Sequence, residues 1–124
     1  MEEIKVEKYG LESKTVGMLA RTTNGIIGII INANEDEMMN GPELKVNEKI
    51  YCVERDSIKE IKENIIDLIE VGDYVNGRKV MYIRDYEEFK RLDFDEDMDD
   101  YIYKEDIKTI LTKEQYMQNC FKLD

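Results

Sequence analysis

Four aspartates alternate at Asp93, Asp95, Asp97 and Asp99, a spacing that can wrap a calcium ion. With Asp93 as first ligand, however, the glycine position of a calcium loop holds Met98 and the bidentate glutamate position holds Lys104. The helix-loop-helix calcium reading fails on spacing, which leaves an irregular calcium or magnesium site as the alternative. Carboxylate pairs for hydrolysis can be drawn from the same run in many ways, but a catalytic pair needs one acid whose proton is retained by an apolar pocket. A crowd of exposed acids does not supply that. The chain has no histidine, so the commonest general base and the Ser-His and Cys-His nucleophile pairs are missing, and no glycine-rich phosphate loop or GxSxG is present. Cys52 and Cys120 lie in apolar stretches without zinc-ligand spacing and are expected to be reduced, buried, structural thiols. These absences predict a protein that is not an enzyme and uses no cofactor or metal.

The same acids make better sense as a surface. In 124 residues the formal net charge is -11, and residues 85–106 alone carry eleven acids against three bases. Tyr86, Phe89, Phe94, Tyr101 and Tyr103 are interleaved with them. A groove built for phosphates and stacked bases presents cations and apolar platforms, and carboxylates with aromatics at similar density can occupy it as a nucleic-acid mimic. The candidate partner-binding set is therefore Asp93, Asp95, Glu96, Asp97, Asp99 and Asp100 with Tyr86, Phe89 and Tyr101. The competing reading is a solvated acidic surface with no partner. Charge of this sign repels nucleic acid and anionic lipid, so a protein with a basic surface is the expected partner. No apolar run approaches the ~18 residues of a membrane span, and the opening Met1-Glu2-Glu3-Ile4-Lys5 lacks a signal-peptide pattern. A cytoplasmic protein is expected.

The elements that must position these residues are mostly strands. Asn-Gly occurs at 24–25, 40–41 and 76–77, and the dipeptide favours tight hairpin turns. The first joins residues 15–22 to 26–31, the latter a β-branched run suited to burial on both faces. The turn at 76–77 joins residues 73–75 to 79–83, whereas the one at 40–41, followed by Pro42, reads as a plain loop turn. Gly77→Val is accordingly expected to cost more than Gly41→Val. Residues 49–53 read as a strand; Ile58, Ile61, Ile65, Leu68 and Ile69 then recur at helical spacing, with Asp56 or Ser57 as cap. Strands are expected to resume at 101–103 and 107–111. Thr112 and Gln115 form a capping box opening a short helix over about residues 113–119. The sum is one domain, 1–124, of the α+β class, mainly antiparallel β, as a small partly open barrel or SH3-like sheet with one or two short helices.

The stretch Asn64-Ile65-Ile66-Asp67-Leu68-Ile69-Glu70-Val71-Gly72-Asp73-Tyr74-Val75-Asn76-Gly77, with Ile107-Lys108-Thr109-Ile110-Leu111-Thr112-Lys113-Glu114-Gln115-Tyr116, resembles a family of uncharacterised short proteins encoded by phages and prophages of low-GC Gram-positive bacteria. Arg21-Thr22-Thr23-Asn24-Gly25-Ile26-Ile27-Gly28 is similar to that family's N-terminal strand and turn, and residues 71–75 also resemble an opening strand of SH3-like barrels. The acids between 93 and 100 are denser than the family pattern. With the charge, the resemblance implies a phage or mobile-element inhibitor that binds a host nucleic-acid-handling defence protein, such as an RNA-guided nuclease effector, in the manner of an anti-CRISPR protein. The alternative it leaves open is a phage structural or assembly module, or another protein-interaction module, with no inhibitory role.

Overall fold

The computed structural model describes residues 13–33 and 41–120, in two compact units that meet in sequence between Leu68 and Ile69. In the first unit, β1 (Leu19–Thr22), β2 (Ile27–Asn32), β3 (Glu43–Val46), β4 (Lys49–Cys52) and β5 (Ile58–Lys62) form one antiparallel sheet in the order β4-β3-β2-β1-β5. Its core gathers Ala20, Ile30, Ala33, Leu44 and Ile58, with Ile26, Val53 and Ile61 packed against them. β2 is buried on one face only, because Ile30 is enclosed while Ile29 and Ile31 are exposed. β4 lies at the sheet edge with all four residues exposed, so Cys52 is exposed rather than buried; Cys120 is half-buried, and both thiols are free.

The helix expected from Ile58 onward does not form. Residues 58–62 are strand β5 on the free side of β1, and a 3-10 turn over Ile65–Leu68 follows. The register explains the misleading period. Arg21 pairs with Glu60 but Thr22 pairs with Ile58, so Lys59 is the extra residue of a β-bulge. A bulge reverses the in-and-out alternation, and two isoleucines three apart then reach the same core. Buried Arg21 donates from Nη1 to the carbonyl of Leu68 at 2.9 Å, fastening that turn to β1.

The second unit contains β6 (Tyr74–Val75), β7 (Arg78–Lys79), β8 (Tyr82–Asp85), β9 (Lys90–Asp93), β10 (Tyr101–Ile102), β11 (Ile110–Leu111) and α1 (Lys113–Asn119). They build two antiparallel three-stranded sheets, β11-β6-β7 and β10-β9-β8. The class is α+β and mainly antiparallel, and no closed barrel forms among the described residues. Residues 74–75, from the SH3-like pattern, enter a three-stranded sheet as β6.

Two local expectations hold here. Asn76 (φ 54°) and Gly77 (φ 80°) make the two-residue turn between β6 and β7, although the second strand stops at Lys79 and residues 82–83, expected to continue it, belong to β8 of the other sheet. Thr112 accepts the Gln115 amide at 3.3 Å while the Gln115 side chain accepts the Thr112 amide at 3.2 Å, closing the capping box of α1. Fully buried Asp73 reinforces that helix start: its carboxylate accepts the amides of Glu70 at 2.7 Å and Lys113 at 2.9 Å. The turn at 24–25 differs from a two-residue hairpin. Gly25 but not Asn24 has positive φ, and Thr22 pairs with Ile26 across a three-residue loop.

Gly41 reverses the expected order of the glycine substitutions, although Asn40 lies outside the described residues. A Cβ on Gly41 would run into the backbone carbonyl oxygen of Val53, while one on Gly77 would meet open space and suffer only the positive φ. Overpacking against backbone costs about 1–3 kcal/mol, and left-handed backbone about 1 kcal/mol. Gly41→Ala is expected to lower the urea midpoint further than Gly77→Ala. Equal midpoints, or the opposite order, would show that the chain at Gly41 yields freely.

Candidate functional site

The candidate residues converge on the sheet β10-β9-β8, whose register sorts them by face. Tyr82, Asp93 and Tyr101 form one cross-strand row, Arg84 pairs with Arg91 in the neighbouring row on the same side, and Ile83, Leu92 and Ile102 point the opposite way. Strand alternation thus places tyrosines, arginines and one aspartate on a common face.

Asp93 is fully buried at the centre of that face. Its Oδ2 accepts Arg84 Nε at 2.5 Å, and its Oδ1 accepts Arg91 Nε at 2.9 Å, with Arg91 Nη2 at 3.3 Å from Oδ2. Burial disfavours the charge on Arg91; the hydrogen bond and charge of Asp93, aided by Tyr86 and Tyr101, outweigh it and hold its pKa above the ordinary arginine value. The guanidinium lies over the Tyr101 ring at 4.0 Å from its centroid and 5.7 Å from that of Tyr86. Arg84 lies 5.3 Å from the Tyr82 centroid.

Around this charged centre the rings form a continuous row. Tyr86 and Phe89 stack at 4.7 Å, Phe89 meets Tyr103 edge-on at 5.6 Å, and Tyr103 meets Tyr101 edge-on at 5.6 Å. All four are more than a third exposed. The row runs across the sheet between its two acidic turns. At one end the 86–89 turn, closed by the Tyr86 amide donating to the Phe89 carbonyl at 2.8 Å, exposes Glu87 and Glu88. At the other, the turn closed by the Phe94 amide on the Asp100 carbonyl at 2.8 Å exposes Glu96, Asp97 and Asp99, with Asp95 half-buried.

The acids read together in the sequence therefore have different roles. Asp93 is an interior counter-ion, and Asp100 is ion-paired to Arg78, which also lies over Phe94 at 4.4 Å. Glu96, Asp97 and Asp99 are the exposed members, and Tyr86, Phe89 and Tyr101 share one face. Tyr103 joins that row, and Arg84 and Arg91 support it. The signal for the arginines was the same-face spacing of Tyr82 with Arg84 and of Arg91 with Asp93 on adjacent strands.

Comparison with models of known protein families, with curated proteins and with solved structures finds no match. Among the described residues no group of three or more His, Cys, Asp or Glu side chains is arranged to hold a metal ion, and no helix is long and apolar enough to cross a membrane.

Losing one partner of a buried ion group strands the others and costs about 3–5 kcal/mol, whereas exposed changes stay within about 0.5 kcal/mol. Asp93→Asn is expected to destabilise by about 3 kcal/mol in urea unfolding followed by tyrosine absorbance, with Asp97→Asn and Asp99→Asn close to wild type. Similar midpoints for all three variants would remove Asp93 from its structural role.

Proposed function

We propose that the chain is a non-catalytic protein-binding module whose second unit docks a partner with a basic surface. The observation that carries this reading is the exposed Tyr86–Phe89–Tyr103–Tyr101 row with an acidic turn at each end. Tyrosine and arginine supply much of the energy in protein interfaces, because large rigid rings bury area at little entropic cost. Here Arg91, held by Asp93, lies against the Tyr101 and Tyr86 rings, so less ordering of those two side chains remains to oppose binding. The acidic turns steer a basic partner and repel nucleic acid. Sequence resemblance narrows the proposal to a phage or mobile-element inhibitor of a host nucleic-acid-handling defence protein, of which an RNA-guided nuclease effector is the concrete case.

The test spares Asp93. A protein captured by the wild-type chain from nuclease-treated bacterial lysate is purified and titrated with wild type and with the variant Asp95→Asn, Glu96→Gln, Asp97→Asn, Asp99→Asn. The variant is expected to keep its fold and to bind about tenfold more weakly, and wild-type association is expected to slow as salt rises, since steering is screened beyond ~10 Å at 0.1 M. Equal affinity of the two proteins would reduce the acidic turn to ordinary surface.

A further inference from the structure

The 86–89 turn narrows the kind of basic partner. Phe89 is the most exposed ring of the row, at 48%, and it stacks on Tyr86 within a four-residue turn whose other two residues are the exposed Glu87 and Glu88. Elsewhere in the unit the chain places its own guanidinium groups over rings: Arg91 over Tyr101, Arg84 over Tyr82 and Arg78 over Phe94. All three of these arginines also hold a carboxylate, Arg84 and Arg91 that of Asp93 and Arg78 that of Asp100. A ring together with a carboxylate is thus a combination this unit satisfies repeatedly with arginine, and the turn carries an exposed ring and two exposed carboxylates within four residues.

We propose that the 86–89 turn receives an arginine side chain of the partner, its guanidinium over the Phe89 ring and its N–H groups on Glu87 or Glu88. This rests on the protein-binding reading and adds a chemical selectivity to it. Arginine suits the site better than lysine because its planar, weakly hydrated cation stacks on a ring and bonds a carboxylate in two places at once, whereas an ammonium is a compact, strongly hydrated point charge. Bulk charge attraction makes no such distinction.

Two short Gly/Ser peptides of equal charge, one carrying arginines at alternate positions and the other lysines, serve as probes in a titration of the full chain. The arginine peptide is expected to bind about fivefold more tightly. Phe89→Leu, which keeps an apolar side chain without the ring, is expected to bring the two peptides to equal affinity, and Phe89→Tyr is expected to retain the preference for arginine. Equal binding of both peptides to wild type overturns the arginine site and leaves the basic-partner reading standing. Binding of neither overturns both. A preference that survives Phe89→Leu also overturns the proposal, because the selectivity then comes from another part of the surface.

Discussion

A single carboxylate resolves a conflict in the second unit. Arg84 and Arg91 stand opposite one another on β8 and β9, and like charges in direct cross-strand register repel. Asp93, fully buried one row away, accepts from both. Its backbone is equally committed, since its carbonyl accepts the Met81 amide at 2.9 Å and it pairs with Tyr82 on one side and Tyr101 on the other. Arg91, fixed in this way, lies against the Tyr101 and Tyr86 rings, which in turn meet Tyr103 and Phe89. A charged interior group is weak evidence of added stability over an apolar alternative, but once present it tolerates the loss of no partner.

Elsewhere in this unit, polar side chains also hold the chain in place. Its buried apolar side chains include Ile69, Val75, Val80 and Leu92, a small set from which to build a core. Directional bonds supplement them. Asp73 fastens the 70–73 turn to the start of α1. The Asn76 side chain donates to the Asp106 carbonyl at 2.8 Å and accepts the amides of Lys108 at 2.8 Å and Thr109 at 3.1 Å, so a turn residue also pins the approach to β11. Lys113 closes the arrangement with an ion pair to Glu70 at 2.8 Å, which raises the Lys113 pKa despite partial burial. Asp73, the fully buried member of this set, is costly to leave unsatisfied, while the exposed bonds of Asn76 and Lys113 add direction more than energy.

Features encoded within a few consecutive residues were legible in the sequence: the turn at Asn76 and Gly77, the capping box of Thr112 and Gln115, and the strand that became β4. Features that depend on a distant partner were not. Ile58 and Ile61 imitate helical spacing because a bulge opposite β1 shifts their register, and nothing local to Lys59 announces it. Gly41 is constrained by the carbonyl of Val53, twelve positions away, and not by its own backbone angle. β3 went unread because Leu44 and Val46 give too short an alternation to stand out. For the candidate site, composition located the acidic and aromatic segment, yet only the pairing of β8 with β9 separates Asp93, an interior counter-ion, from Asp97 and Asp99, which are exposed.

The tyrosine row has an optical consequence. The chain contains eight tyrosines and no tryptophan, so its near-ultraviolet emission comes from tyrosine. Four of those eight, Tyr82, Tyr86, Tyr101 and Tyr103, lie in the β10-β9-β8 sheet or beside it, several in ring contact or under a guanidinium. Ring contacts and neighbouring charges alter the quantum yield and chiral signal of a phenol, so displacement of any member of the row changes the spectrum of the whole protein. The surface assigned to recognition therefore carries its own label, and its occupancy can be followed by light without attaching a dye.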